Sequence, residues 1–269
     1  MKHKFWSRRN LILVIIAIIV LGIGGYYLYA RKYAVWPQIS VSWMDEVAEP
    51  IGSDRVLIIS PHPDDETIAS GGYIVRAAKN GAKVEILLVT DGNRRGFGTE
   101  RHQELKDAAK TLGIFEDNIE YLELPEYYLK EKISENDLAS KIKAKILAFQ
   151  PTIIFYPDQS DENPDHQFIG QTLDNTLPSM VEISSAKRYT YLVHFKYFPQ
   201  PVGSHPDDNL TPPVKLADFS HHWQKFILTS GEENTKSAAL SVYKTQLRTP
   251  LLHDLLESMV RRNELFSTR

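Results

Sequence analysis

"RVLIISPHPDDETIASGGYIVRAAKNG", residues 55–81, opens with a short apolar run, passes through a histidine and three acids, and ends in a helically spaced segment closed by glycine. An Ile/Val/Leu-rich strand followed at once by an amphipathic helix is the building unit of a parallel sheet. The polar turn between the two then lies at a strand's carboxyl end, where open α/β sheets collect their ligands.

The unit recurs downstream. "KVEILLVT" (83–90) reads as a second strand, and "TERHQELKDAAKTLG" (99–113) as a helix with Thr99 placed to cap it and Gly113 to end it. "NIEYLEL" (118–124) is a third strand, "SENDLASKIKAKILAFQ" (134–150) a helix capped by Ser134, and "TIIFYP" (152–157) a fourth strand. The alternation predicts an α/β, Rossmann-like domain, its mainly parallel sheet covered by helices on both faces. "SPHPDDE", "DGNRRGFG" and "DQSDENPDH" follow the first, second and fourth strands, so all three polar loops open on one edge. Beyond residue 171 the pattern weakens. "PQPVGSHPDDNLTPP" is a proline-rich loop, and residues 232–266 read as one or two helices. The second "HPDD", at 205–208, follows no apolar strand and is read as coincidence.

Ahead of this domain, "LILVIIAIIVLGIGGYYLYA" (Leu11–Ala30) carries no charge. As a helix it spans roughly 30 Å, a bilayer's hydrocarbon thickness. Trp6 at one end and Tyr26, Tyr27 and Tyr29 at the other suit the two interfaces. A cleaved signal peptide is the rival, but Leu28-Tyr29-Ala30 puts a bulky residue where cleavage wants a small one, so an uncleaved anchor is expected. Lys2, Lys4, Arg8 and Arg9 precede the span, whereas Arg31 and Lys32 follow it. The positive-inside tendency then places residues 1–10 in the cytoplasm and the rest outside, as a single-pass protein of the cell membrane. Residues 31–53 are expected to form a stalk, and 54–269 the folded α/β domain.

With 269 residues, 42% of them hydrophobic, the chain can bury a full core. A net charge of −3 without a basic, aromatic-laced stripe gives no case for nucleic acid. Cysteine is absent, which excludes disulfides, thiolate metal sites and cysteine nucleophiles.

The acids of "HPDDE" repel one another unless a positive group sits among them, and a divalent metal is the expected one. His62 and Asp65, three apart on a strand-to-helix turn, can converge on a point. Imidazole plus carboxylate suits zinc, whose catalytic sites take three protein ligands and keep a position for water. His166 in "NPDHQ", on the same sheet edge, offers the third. The plainer reading is an Asp pair that merely caps a helix and faces its dipole. Spacing alone does not choose among Asp64, Asp65 and Glu66 as the ligand.

"PHPDDE", "VTDGN", "RHQELKDAAKTLGI" and "NPDHQFIG", in this order and spacing, resemble the LmbE-like (PIG-L) family of zinc-dependent N-acetylglucosaminyl deacetylases. The resemblance covers residues 54–171 well and extends weakly to "VYKTQL" near the C-terminus. It implies a Rossmann-like fold and removal of acetyl from an N-acetylated sugar, with His62, Asp65 and His166 as zinc ligands and Asp64 as general base. Arg101 matches a position that helps bind the sugar; read from the sequence alone it is equally a solvated arginine in a helix's first turn. The sequence departs from the pattern at Asn163, where the family usually carries a histidine that steadies the oxyanion. An asparagine amide can donate to an oxyanion but cannot pass a proton to the leaving amine. Asp64 is therefore expected to carry the proton both ways; the alternatives are a substitute histidine (His194, His205, His221 or His222) or weak activity. The expected substrate is a cell-surface or lipid-linked glycan bearing an N-acetylhexosamine. The competing functions are amide hydrolysis on a non-sugar substrate and a glycan-binding relative of low activity.

Overall fold

The computed structural model describes residues 8–32 and 34–268. Eight α-helices, six short 3-10 helices and eight strands follow one another along them. Helix α1 (Arg8–Lys32) contains a window long and apolar enough to cross a membrane, and none of that window is buried by the rest of the chain. Lys2, Lys4 and Trp6, used above for orientation and interface, lie outside the described residues.

The predicted βα units are present: β2 (Arg55–Ser60), α2 (Asp65–Lys79), β3 (Lys83–Thr90), α3 (Gly98–Thr111), β4 (Ile119–Leu124), α4 (Glu135–Phe149), β5 (Ile153–Pro157) and α5 (Pro164–Thr176). Ser134 caps α4 by accepting from the Asp137 amide, as its position before the apolar run predicts. Thr99 does not cap α3. That helix begins one residue earlier, at Gly98, whose amide donates to Asn93 Oδ1. Ser70 breaks helical geometry within α2, at φ −137°, so the helix is two segments joined at a kink.

With β1 (Asp45–Glu46), β6 (Lys187–Tyr191), β7 (His222–Ile227) and β8 (Asn263–Thr268), the strand order across the sheet is β1-β7-β8-β6-β5-β2-β3-β4. β2 pairs in parallel with both β3 and β5, and the chain's progression reverses between β2 and β5. That reversal is the topological switch point, where doubly wound folds bind their ligands. Successive residues of β2 alternate between the two cores: Val56 and Ile58 join the cluster under α2 and α3, while Leu57 and Ile59 join the one under α4 and α5. All four are fully buried, each stabilising the fold by about 1.5–3 kcal/mol.

Two expectations need correcting. Residues 232–266 hold three helices, α6 (Ser230–Leu240), α7 (Lys244–Leu247) and α8 (Pro250–Ser258), and then the start of a strand, β8 (Asn263–Thr268). β8 inserts antiparallel between β6 (Lys187–Tyr191) and β7 (His222–Ile227), with Leu265 and Phe266 in the core. The segment expected as a stalk is also partly built into the domain. Val41, Met44 and Val47 are buried in the main core, and β1 (Asp45–Glu46) pairs with β7. Burial of these apolar side chains draws the segment onto the sheet.

Candidate metal centre and active site

β2 ends at Ser60, and the next residues turn tightly into α2. Asp64 sits at φ +132°, a backbone conformation rarely adopted with a side chain and one that gathers at functional sites. Its side chain makes no capping hydrogen bond to the helix. The cap reading of the Asp pair therefore fails. Glu66 instead takes the structural work: its carboxylate accepts from Ser60 Oγ, the Asp64 amide, Thr67 Oγ1 and the Tyr243 hydroxyl. Burial raises Glu66's affinity for its proton, against the pull of Thr67 and Tyr243.

α5 brings His166 to the same place across the switch point. Gly170 permits the close approach, since a Cβ there would meet the Pro157 carbonyl at 2.5 Å. His62 Nδ1, Asp65 Oδ2 and His166 Nε2 then form a small triangle with sides of 3.1, 2.9 and 3.2 Å. Four-coordinate zinc with bonds of about 2.0–2.2 Å holds its ligand atoms roughly 3.3 Å apart, so the triangle fits one ion. All three residues are buried, and together they form a set able to hold a metal. Asp65 Oδ1 is buried with no hydrogen-bond partner in the protein, a cost that a cation would relieve.

Two further carboxylates orient the histidines. His62 Nε2 donates to Asp165 Oδ2 at 3.2 Å, which leaves Nδ1 to face the centre. Asp165 is itself fixed by the amides of Tyr127 and Leu129, at 2.7 and 2.8 Å. Behind His166, Asp161 Oδ2 lies 3.3 Å from Nδ1 and accepts from the amides of Val193 and His194. Burial alone would lower the histidines' affinity for protons. The surrounding carboxylates outweigh it, holding His62 at about 9 and His166 well above its ordinary value. Asp65, Asp161 and Asp165 are correspondingly held low against burial, with His166 the chief cause for the first two and His62 for the third. The pocket demands positive charge, and a divalent ion supplies it as well as protons do.

Asp64 stays outside the triangle. Burial pushes its carboxyl well above the usual range, while Arg101, 3.7 Å away, pulls it back. Arg101 is buried at 7% exposure, so the solvated reading of this arginine is overturned. Its guanidinium donates to the Gly92 and Pro63 carbonyls and to Glu126, tying the loops after β2, β3 and β4 together. Asn163 caps α5: its Oδ1 accepts from the Asp165 amide at 2.9 Å, leaving its NH2 as the donor.

A pocket of about 250 Å³ joins these groups, lined by His62, Asp64, Arg101, Asn163 and His194 among others. Of the four substitute histidines, His194 alone lines it, with its ring centroid 4.9 Å from that of His166. Burial first, then the neighbouring His166, lowers its affinity for a proton. His221 pairs with Asp218, His222 with Asp45 and His205 with Asp208, all elsewhere. The sequence reading missed Asp161, Asp165 and Glu126 as supports; for the first two, the only signal was acids crowding the loop that carries His166.

Fold and site together define an α/β domain with a His–Asp–His centre at the switch point of its sheet. Residues 57–177 match the family model described as PIG-L, GlcNAc-PI de-N-acetylase. A 1D-myo-inositol 2-acetamido-2-deoxy-α-D-glucopyranoside deacetylase from Rhodococcus jostii is 45% identical over 62 residues, 23% of this chain and 21% of the relative. A probable N-acetyl-α-D-glucosaminyl L-malate deacetylase from Bacillus cereus is 31% identical over 142 residues, 47% of this chain and 62% of the relative. The matches thus span less than two thirds of either relative. Among solved structures, a conserved protein from Thermus thermophilus shares the fold with a TM-score of 0.58 at 20% identity, over 80% of this chain and 94% of that one.

Proposed function

We propose that the chain is a membrane-anchored, zinc-dependent de-N-acetylase that hydrolyses the acetamide of an N-acetylhexosamine in a cell-surface or lipid-linked glycan. One observation carries the reading: a buried triangle of metal-type ligands beside an acid, Asp64, whose side chain neither joins the triangle nor caps the helix. The names of the Rhodococcus and Bacillus relatives, both deacetylases of N-acetylglucosaminyl compounds, support the substrate class.

His62, Asp65 and His166 would hold the ion. Bound there, a divalent ion would supply an acidified water and polarisation of the amide carbonyl. Asp64 accepts the proton of the attacking water as the new C–O bond forms. Arg101 holds Asp64 at the pocket wall and lines the sugar's place. The Asn163 amide donates to the oxygen that gains charge, and neutral His194 flanks it. When the C–N bond breaks, Asp64 returns its proton to the leaving nitrogen, releasing the free amine and acetate.

The apolar face of α1 supports an anchor, and the basic excess ahead of it supports an outward-facing domain. The test is acetate release by the purified full chain from N-acetylglucosamine derivatives, with and without zinc. Release that requires the metal and vanishes in Asp64→Asn is expected. A metal-loaded protein that frees no acetate across such substrates refutes the reading.

A further inference from the structure

A second cavity, about 510 Å³ in volume, adjoins the catalytic pocket. The two share Asn163, His194 and Leu252 in their walls and so lie side by side. Their chemistry differs. Arginines, acids and histidines line the catalytic pocket, whereas Val193, Phe195, Phe198, Val202 and Leu255 line much of its neighbour. The floor of this cavity is the segment after β6, and its wall is α8. The two are fastened where the Gly203 amide donates to Ser258 Oγ at 2.7 Å. Its size falls within the roughly 300–1,000 Å³ of small-molecule sites.

The cavity also lies beside the apolar helix. Lys196 and Tyr197, both in its lining, meet Tyr29 near the carboxyl end of α1: Lys196 Nζ donates to the Tyr29 hydroxyl, and the two tyrosine rings pack edge to face at 6.5 Å. If α1 lies in a bilayer, this contact holds the cavity at the membrane surface, where tyrosine and lysine settle. The catalytic pocket then opens through the cavity toward the lipid.

We propose that this cavity takes the aliphatic chain of a membrane-resident amphiphile whose N-acetylated sugar occupies the catalytic pocket. The inference deepens the de-N-acetylase reading and rests on it for the sugar. Two features select the occupant. A water-soluble oligosaccharide buries only the small C–H faces of its rings against such a wall, whereas an alkyl chain leaving that sugar is removed from water along its whole length. An amphiphile held in the bilayer also arrives at the side of the domain that α1 fixes.

The experiment uses the full chain in phosphatidylcholine nanodiscs and an octadecyl glycoside of N-acetylglucosamine carrying a diazirine at the chain end. Methyl N-acetylglucosaminide serves as the soluble comparison. Photolabel is expected on peptides covering residues 193–202 and 250–258. Val202, 59% exposed and not among the residues lining the catalytic pocket, is changed to Asp. Placing a charge in the chain's path is expected to raise KM for the octadecyl substrate about tenfold and to cut the labelling, with turnover of the methyl glycoside unchanged. Because the anchor is untouched, mere enrichment of the substrate at the membrane cannot produce that split. Label confined to α1, a V202D protein that handles both substrates like the wild type, or a concentration-dependent dimer that shields the cavity from label would each overturn the proposal. Label in the cavity without acetate from either glycoside would instead sink the deacetylase reading and leave the chain site standing.

Discussion

At Asp64 and Asp65, adjacent carboxylates take opposite parts because of where the turn points them. Asp65 faces two imidazoles and is held ionised, whereas Asp64 faces Arg101 and the pocket. Asp64→Asn is therefore expected to keep its metal while kcat falls by about 10²–10⁴, the range for losing a general base; metal analysis beside acetate release checks both halves. Asp161→Asn touches the ligand triangle only through His166's far nitrogen and is expected to weaken metal binding by about 10–100-fold, read by titration with a competing chelator. His62→Ala removes a corner of the triangle, and most of the bound metal should go with it. His62 and His166 were legible in the sequence as candidate ligands, since each falls in a polar stretch that begins directly after an apolar strand. Asp165 and Asp161 were not. An acid next to a ligand histidine becomes its support only when backbone amides, here those of Tyr127, Leu129, Val193 and His194, fix it from other elements. Choosing between Asp64 and Asp65 needed the positive φ that spacing does not reveal.

Among the elements, α2 shows what local pattern conveys and what it hides. Its helical spacing and closing glycine are plain in the sequence, but its kink at Ser70 is not, because the cause lies in the last strand. There the Glu264 carboxylate accepts from the Gly72 and Tyr73 amides freed by the kink, and from Lys236 Nζ at 2.8 Å. Lys236 and Glu264 are both buried, at 1% and 0% exposure. Lys236→Ala strands a buried carboxylate with only two amides for company, a loss expected to approach 3 kcal/mol and lower Tm by about 10 °C. Thermal unfolding of the metal-loaded protein measures it. The second segment of α2 is also tied to α6 by Arg76 and Glu232. Burial would raise Glu232's proton affinity, but Arg76 and the Thr229 amide more than reverse this and hold it below the usual glutamate range. A depressed carboxyl stabilises the fold above its unfolded value and loses that contribution as pH falls through the folded one. Glu232→Gln should therefore cost stability at neutral pH and flatten the acid limb of the Tm-against-pH curve, the two proteins converging as Glu232 protonates. Parallel limbs would remove this pair from the acid response.

For the molecule as a whole, strong periodic signals were readable and weak scattered ones were not. The four leading strands and the apolar N-terminal helix announce themselves through long, uninterrupted patterns. Val41, Met44 and Val47 are isolated apolar residues in an aperiodic segment, and only their burial against a sheet completed by β8 makes them core. This packing shortens the link between α1 and the domain and fixes where the membrane would lie. The same geometry bears on orientation. Ser53 is exposed, just ahead of β2, and the chain holds no cysteine of its own. A Ser53→Cys protein thus offers one thiol at a known place. With four basic residues ahead of α1's apolar run and two after it, the bilayer's charge preference predicts that thiol on the outside. A membrane-impermeant maleimide added to intact cells should label it fully, with no gain on permeabilisation. Labelling that needs permeabilisation would turn the domain to the cytoplasm and make the substrate a glycolipid of the inner face, without altering the metal chemistry.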